Sequence, residues 1–218
     1  LFLIKLINID LFVKYFQSEK GIIENGTFFV LFVAIFFNIK LLIYKNKIIK
    51  KFLYFFILFL LGLIYFAGEE INWGQQWFLW DSNDFFNKYN DQYIGDTTET
   101  NFHNISSWLD QKPRFILTFF VIFGGLYLSF FNKELKLNNF RTLIYPTFHC
   151  FPTSLICLLF YLLDNSYKLL CFGKPGFDLS CKFLPAVLIL RTSEIIEFYI
   201  AFFLFIYLLS IYKRLNYY

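Results

Sequence analysis

The sequence predicts an all-α integral membrane protein: one bundle of about six transmembrane helices, the first of them short, with a long outer loop that carries a short amphipathic helix. Three observations predict it. Hydrophobic residues make up 58% of the 218-residue chain and charged residues 17%, against roughly 25% charged in an ordinary soluble chain. Phe alone occurs 34 times, more than a soluble domain of this length could bury. The apolar residues also gather into runs close to the ~20 residues that a helix needs to cross a ~30 Å hydrocarbon core. They lack the strict alternation of membrane barrel strands. The same composition excludes a disordered chain, a collagen-like repeat and a disulfide-dense miniprotein.

The predicted spans are residues 1–16, 27–44, 52–68, 115–131, 143–163 and 191–212, in a single transmembrane domain covering 1–218 with no soluble domain. The first is interrupted by Lys5 and Asp10, and the chain has no Met and starts at Leu1 inside an apolar run, which together predict a truncated span. The fifth carries Pro146 and Pro152. The last apolar region begins at Phe183 and is too long for one crossing, so a bend is expected near Arg191.

Loop charge predicts orientation, because Lys and Arg accumulate on the cytoplasmic side. Lys45, Lys47, Lys50 and Lys51 follow the second span, Lys133, Lys136 and Arg141 lie between the fourth and fifth, and Lys213 and Arg214 follow the last. The opposite face receives the acidic loop 69–114, with Glu69, Glu70, Asp81, Asp84, Asp91, Asp96, Glu99 and Asp110 against Lys88, Lys112 and Arg114. Both termini are therefore expected in the cytoplasm and the acidic loop outside. The net charge of +4 sits in these membrane-flanking positions and argues for lipid rather than nucleic acid as the partner. Cys150 and Cys157 read as small core residues within a span. Cys171 and Cys181 share an outside loop containing Gly173, Pro175 and Gly176, where a disulfide is expected.

Polar residues in or beside the spans are the candidates for function, since ionisable groups there are costly and usually face the interior. Gly68-Glu69-Glu70-Ile71-Asn72-Trp73-Gly74-Gln75 follows the third span with no turn signal, and the helix is expected to continue through it, with Trp73, Trp77 and Trp80 at headgroup level. Phe102, Ile105, Trp108 and Leu109 recur at helical spacing, predicting a short amphipathic helix over 102–110 that positions His103 beside Asn104. Arg191, Glu194 and Glu197 are three apart and share a helical face. An Arg191–Glu194 pair leaves Glu197 in need of another partner. His149, between Pro146 and Pro152, reads as a satisfied interior residue rather than a member of this set.

These residues, Gly68-Glu69-Glu70 with Trp73-Gly74-Gln75, then Phe102-His103-Asn104, are similar to the G-E-E-x-x-W-G-Q and x-H-N motifs of a group of bacterial multi-pass membrane proteins. Glu24-Asn25-Gly26 matches that group's acidic turn before an early span, and Glu194 with Glu197 match its acids in the last span. The resemblance covers most of the chain in the same order. It implies a bacterial inner-membrane location and weight on these residues, and no particular reaction. Ceramidase-like membrane hydrolases also combine acids and His near one face, but their H-x-x-x-H pair is absent here.

Two functions remain open. In the first, Glu69, Glu70, His103, Glu194 and Glu197 converge on an outward-facing site, supported by Trp73, Gln75, Asn104 and Arg191, as a lipid-directed or metal-dependent enzyme. Glu70, His103 and Glu197 are its candidate ligands for a divalent metal such as Zn²⁺, Mn²⁺ or Fe²⁺. Without metal, the carboxylates are a general acid–base set. A single His is a weak basis for a tight zinc site, and neither a Ser nucleophile with a nearby base nor a Gly-rich phosphate loop is evident. In the second, the chain is a non-enzymatic subunit, scaffold or small transporter whose buried polar residues are structural.

Overall fold

A computed structural model describes residues 21–44, 47–90, 93–94, 96–103, 105–131, 140–171 and 192–216. Among them, five helical stretches are long and apolar enough to cross a membrane: Ile22–Ile43, Leu53–Glu70, Lys112–Phe131, Arg141–Ser166 and Thr192–Leu215. The predicted span over 1–16 and the bend at Arg191 lie outside the described residues, as do Asn104 and Cys181. Cys171 closes a helix, but its side chain is likewise outside them.

In chain order, α1 is Ile22–Ile43, α2 the Lys-rich turn Lys47–Lys51 and α3 Leu53–Glu70. The segment that follows carries α4 (Gln75–Phe78), α5 (Asp84–Tyr89) and a two-stranded antiparallel hairpin, β1 (Tyr93–Ile94) with β2 (Thr97–Thr98). Asn83 caps α5 by accepting from Phe85 N at 3.1 Å and Phe86 N at 3.2 Å. Next come α6 (Ser107–Phe119), a π-helical stretch Phe120–Leu128, α7 (Ser129–Phe131), α8 (Phe140–Ile144), a 3₁₀ turn Phe148–Cys150, α9 (Phe151–Cys171) and α10 (Thr192–Asn216).

The amphipathic helix expected over 102–110 is not a separate element. Phe102 and His103 lie in a turn, Ser106 caps α6 by accepting from Trp108 N at 3.3 Å, and α6 runs straight into the fourth span. Helical spacing in this stretch reports the first turn of a span rather than a helix lying on the surface.

The central helix is α10. Its apolar window is 61% buried, against 28% for α1, α3 and the Lys112–Phe131 stretch. It packs against α1 and α9; α1 in turn packs against α3, and α9 against the π-helical stretch. The five spans therefore form an arc that runs α3, α1, α10, α9, π-helix. Small residues permit the close crossings: a Cβ on Gly125 would run into the Ser154 side chain, and one on Gly26 would meet Phe198 at 3.4 Å. Large side chains such as Phe29, Phe32 and Phe36 on α1, and Tyr54 and Leu61 on α3, face outward and exposed. Such surfaces suit a lipid solvent and would be a liability in water. Cys150 and Cys157 are fully buried free thiols, in line with their reading as core residues. His149 departs from its reading as an interior residue: it is exposed on the 3₁₀ turn.

The arc separates charge by end. Tyr44 reaches Leu215 O at 3.5 Å, and Arg214 donates to Thr142 O at 2.8 Å, which gathers the basic termini of α1, α8 and α10 at one end. Glu24, Glu70, Arg114 and Glu194 stand at the opposite end, together with the described residues between 71 and 106.

Candidate functional site

The chain does not continue as a helix beyond Glu70. Asn72 (φ 49°), Trp73 (φ 56°) and Gly74 (φ 98°) all adopt left-handed conformations, and they reverse the chain within a 3₁₀ turn. For Asn72 and Trp73 this geometry is strained, on the order of 1–3 kcal/mol each. Two glycines and an indole make it feasible. Gly74 takes the most positive φ, and Gly68 leaves the space that Trp73 folds into, since a Cβ there would stand 2.9 Å from the ring. The folded-back indole then donates to Glu69 Oε1 at 2.6 Å.

Glu69 anchors the whole segment. Its second oxygen, Oε2, accepts from Phe102 N at 2.8 Å, His103 N at 2.8 Å and His103 Nδ1 at 3.0 Å. With four donors and 7% exposure, this carboxylate has its solvation replaced by fixed N–H groups. Gln75 extends the clip. Its Nε2 lies 3.1 Å from Trp80 O, 3.1 Å from Thr97 Oγ1 and 2.9 Å from Thr98 O, while Oε1 accepts from Thr100 N at 2.6 Å. Asn101 links this network to Asn72 Oδ1 at 3.1 Å and Glu99 Oε2 at 2.6 Å. Most of the G-E-E-x-x-W-G-Q stretch thus folds the loop.

Glu70 is the exception. One position further along α3, it faces Glu194 and Glu197 of α10, and ligand oxygens from the three carboxylates lie within 4.8 Å of one another. Glu24, in the first turn of α1, and Arg114 on α6 are its further electrostatic neighbours. Arg114 pairs directly with Glu197 Oε1. Glu194 and Glu24 sit in first helical turns, where the macrodipole favours an anion; Glu70 sits at a C-terminus, where it is disfavoured by about 0.3–1 kcal/mol. Among the described residues, the Glu70 carboxylate accepts no hydrogen bond and makes no direct ion pair. Beside it, Gln76 is 7% exposed and donates Nε2 to Glu70 O at 3.3 Å, and its Oε1 has no partner among the described residues.

These groups line one cavity of about 990 Å³, between the two ends of the arc with α10 at its back. The polar end holds Glu24, Glu69, Glu70, His103, Glu194 and Glu197; the other end is walled by Phe59, Leu63 and Phe66 of α3, Leu117 of α6, and Ile200 and Leu204 of α10. The predicted residues therefore meet in one chamber but divide into two groups: Glu69 with His103 in the clip, and Glu70 with Glu194 and Glu197 in the cluster. Trp73 and Gln75 belong to the clip. Arg191 and Asn104 are outside the described residues.

By sequence, Arg114 counts among the charges of the outer loop and Gln76 carries no signal of its own. The acidic turn that the resemblance implies at Glu24-Asn25-Gly26 is helical instead: all three residues lie in α1, with Asn25 Oδ1 accepting from Trp77 Nε1 at 3.0 Å. The usable signal for Arg114 was its place at the start of a span, where a cation needs an interior partner.

No family model, curated protein or solved structure matches the chain.

Chemically, the three carboxylates cannot all carry unbalanced charge at such separations. They share protons, take counter-charge from Arg114 or hold a cation. Each of these states is also a working state for acid–base or metal-assisted chemistry.

Proposed function

We propose that the chain is an integral membrane protein that takes an amphiphile into the cavity and does acid–base work on its polar head with Glu70, Glu194 and Glu197. The observation that carries this reading is the division of one cavity into a carboxylate-lined end and an apolar end formed by membrane helices. An acyl or isoprenoid chain is the natural occupant of walls made by Phe59, Leu63 and Leu204, and it leaves the headgroup beside the acids. Entry between α3 and α6 is supported by the exposed Leu58 and Ile116, which line the cavity from its two flanks. Glu69, His103, Trp73 and Gln75 have a positioning role, because they hold the 71–106 segment over the polar end.

In this reading both termini and the Lys-rich α2 lie in the cytoplasm of a bacterial inner membrane, and the clip and acid cluster face outside. Support comes from the positive-inside rule together with the separation of basic and acidic residues to opposite ends of the bundle. The similarity to the bacterial group with G-E-E-x-x-W-G-Q agrees with it. A non-enzymatic structural role is favoured by one observation, the Arg114–Glu197 pair. It predicts that losing any one acid weakens the fold.

The test is lipid analysis of the purified full chain beside a Gly62→Phe variant. Gly62 lines the cavity and has open space where a Cβ would stand, so Phe fills the chamber without straining the bundle. One lipid class enriched in the wild type and depleted in the variant is expected. Equal lipid content in both contradicts the proposal.

A further inference from the structure

We infer that Glu70, Glu194 and Glu197, with the amide oxygen of Gln76, form an all-oxygen site for a divalent cation of the Mg²⁺ and Mn²⁺ class. The inference deepens the reading of the cavity as the working site and rests on it. Two independent observations point to a cation. First, three carboxylates from two helices bring ligand oxygens within 4.8 Å, and Glu70 stands at the helix end where its charge is disfavoured. Second, Gln76 is more than nine-tenths buried in the wall of the same cavity and leaves Oε1 unpartnered among the described residues. A buried amide oxygen without a donor is left with its desolvation penalty uncompensated, and a cation would remove that cost. The Nε2 bond to Glu70 O fixes the amide so that its oxygen, and not its NH₂ group, remains for a ligand.

The donor type selects the cation class. Carboxylate and carbonyl oxygens with water suit Mg²⁺, Mn²⁺ and Ca²⁺, and four protein oxygens leave room for the waters that Mg²⁺ and Mn²⁺ retain. His103 is outside the set, since neither ring nitrogen is among the ligand atoms that lie within 4.8 Å of one another; its Nδ1 is held by Glu69 at 3.0 Å. Arg114 takes the place of a cation on Glu197 and is 43% exposed, so it can withdraw when one binds. The cation would orient a headgroup oxygen and lower the cost of negative charge developing on it.

The test is Mn²⁺ titration of the detergent-purified full chain, followed by electron paramagnetic resonance after EDTA treatment. A single Mn²⁺ per chain is expected, displaced by Mg²⁺, with no nitrogen modulation in the spin echo. Glu70→Gln and Glu197→Gln are expected to weaken binding about tenfold or more, the scale on which metal-site partners act. Gln76→Leu should weaken it less, and Asp84→Asn, at an exposed position of α5, should leave it unchanged. Raised thermal stability of the wild type on adding Mn²⁺ separates loss of ligand from loss of fold. No saturable binding, a nitrogen coupling, or equal binding in Glu70→Gln overturns the inference. Lipid content measured in the same samples separates the two claims. A Gly62→Phe-sensitive lipid without Mn²⁺ binding leaves the cavity reading standing and removes the cation site. Mn²⁺ binding without any retained lipid does the reverse.

Discussion

Glu69 and His103 stand 34 positions apart in the chain and meet at 3.0 Å, Oε2 to Nδ1, with the His103 backbone N–H on the same oxygen. This contact gives two adjacent carboxylates opposite tasks. Glu69 is tied into the loop by four donors. Glu70, the next residue, is left to the cavity with Glu194 and Glu197.

Removing the anchor should loosen the 71–106 segment without unfolding the spans. Glu69→Ala leaves the Trp73 indole and the Phe102 and His103 N–H groups without their acceptor, a loss of about 2–4 kcal/mol at the scale of hydrogen bonds to charged groups. Limited proteolysis should cut this segment much faster in Glu69→Ala than in wild type, and Glu69→Gln should fall between them. Equal cleavage rates would show that the clip does not hold the loop.

Gly68 tests the fold-back of Trp73 directly. A Cβ at 2.9 Å from the indole must displace the ring, so Gly68→Ala should cost about 1–3 kcal/mol as an overpacking change. Glu69 should lose the Trp73 bond with it. A red-shifted tryptophan emission with lowered thermal stability is expected. Unchanged emission and stability would mean that the ring does not lie over Gly68 in the membrane.

Arg114 is the counter-charge of the cluster. Arg114→Gln leaves Glu197 without its guanidinium and raises the negative charge of the cavity, so Mn²⁺ should bind several-fold more tightly. Weaker binding in this variant would instead make Arg114 a support of the site geometry.

Topology is open to cysteine labelling. In a chain freed of its native thiols, Asp84→Cys should react with an impermeant maleimide from the periplasmic side and Lys50→Cys only after the inner membrane is opened. The reverse pattern would invert the proposed orientation.

The helices were legible in the sequence because apolar runs near bilayer length have few other uses, and five helical stretches of that length and composition are present among the described residues. The turn after Glu70 was not legible. Its first two left-handed residues are Asn72 and Trp73, and nothing in local propensity sends a Trp to positive φ; only the cavity above Gly68 and the Glu69 bond do so. With Arg191 paired to Glu194, the sequence leaves Glu197 without a local partner, since only neighbours at helical spacing can be read from a sequence. The pairing with Arg114 spans two helices and exists only once the arc has closed around the cavity. Glu194 and Glu197 could be read as sharing a face from their spacing alone. That Glu70, and not Glu69, joins them depends on where α3 stops.

The stability of Glu70→Gln in metal-free buffer, measured by reversible denaturation against wild type, tests the central claim most directly. An acid kept for chemistry, at an unfavourable helix end and beside two other carboxylates, should leave a more stable fold when neutralised. The expected gain is about 0.5–2 kcal/mol, accompanied by loss of the Mn²⁺ response. A Glu70→Gln protein destabilised by about 1 kcal/mol or more would mark Glu70 as part of a structural network and contradict the account.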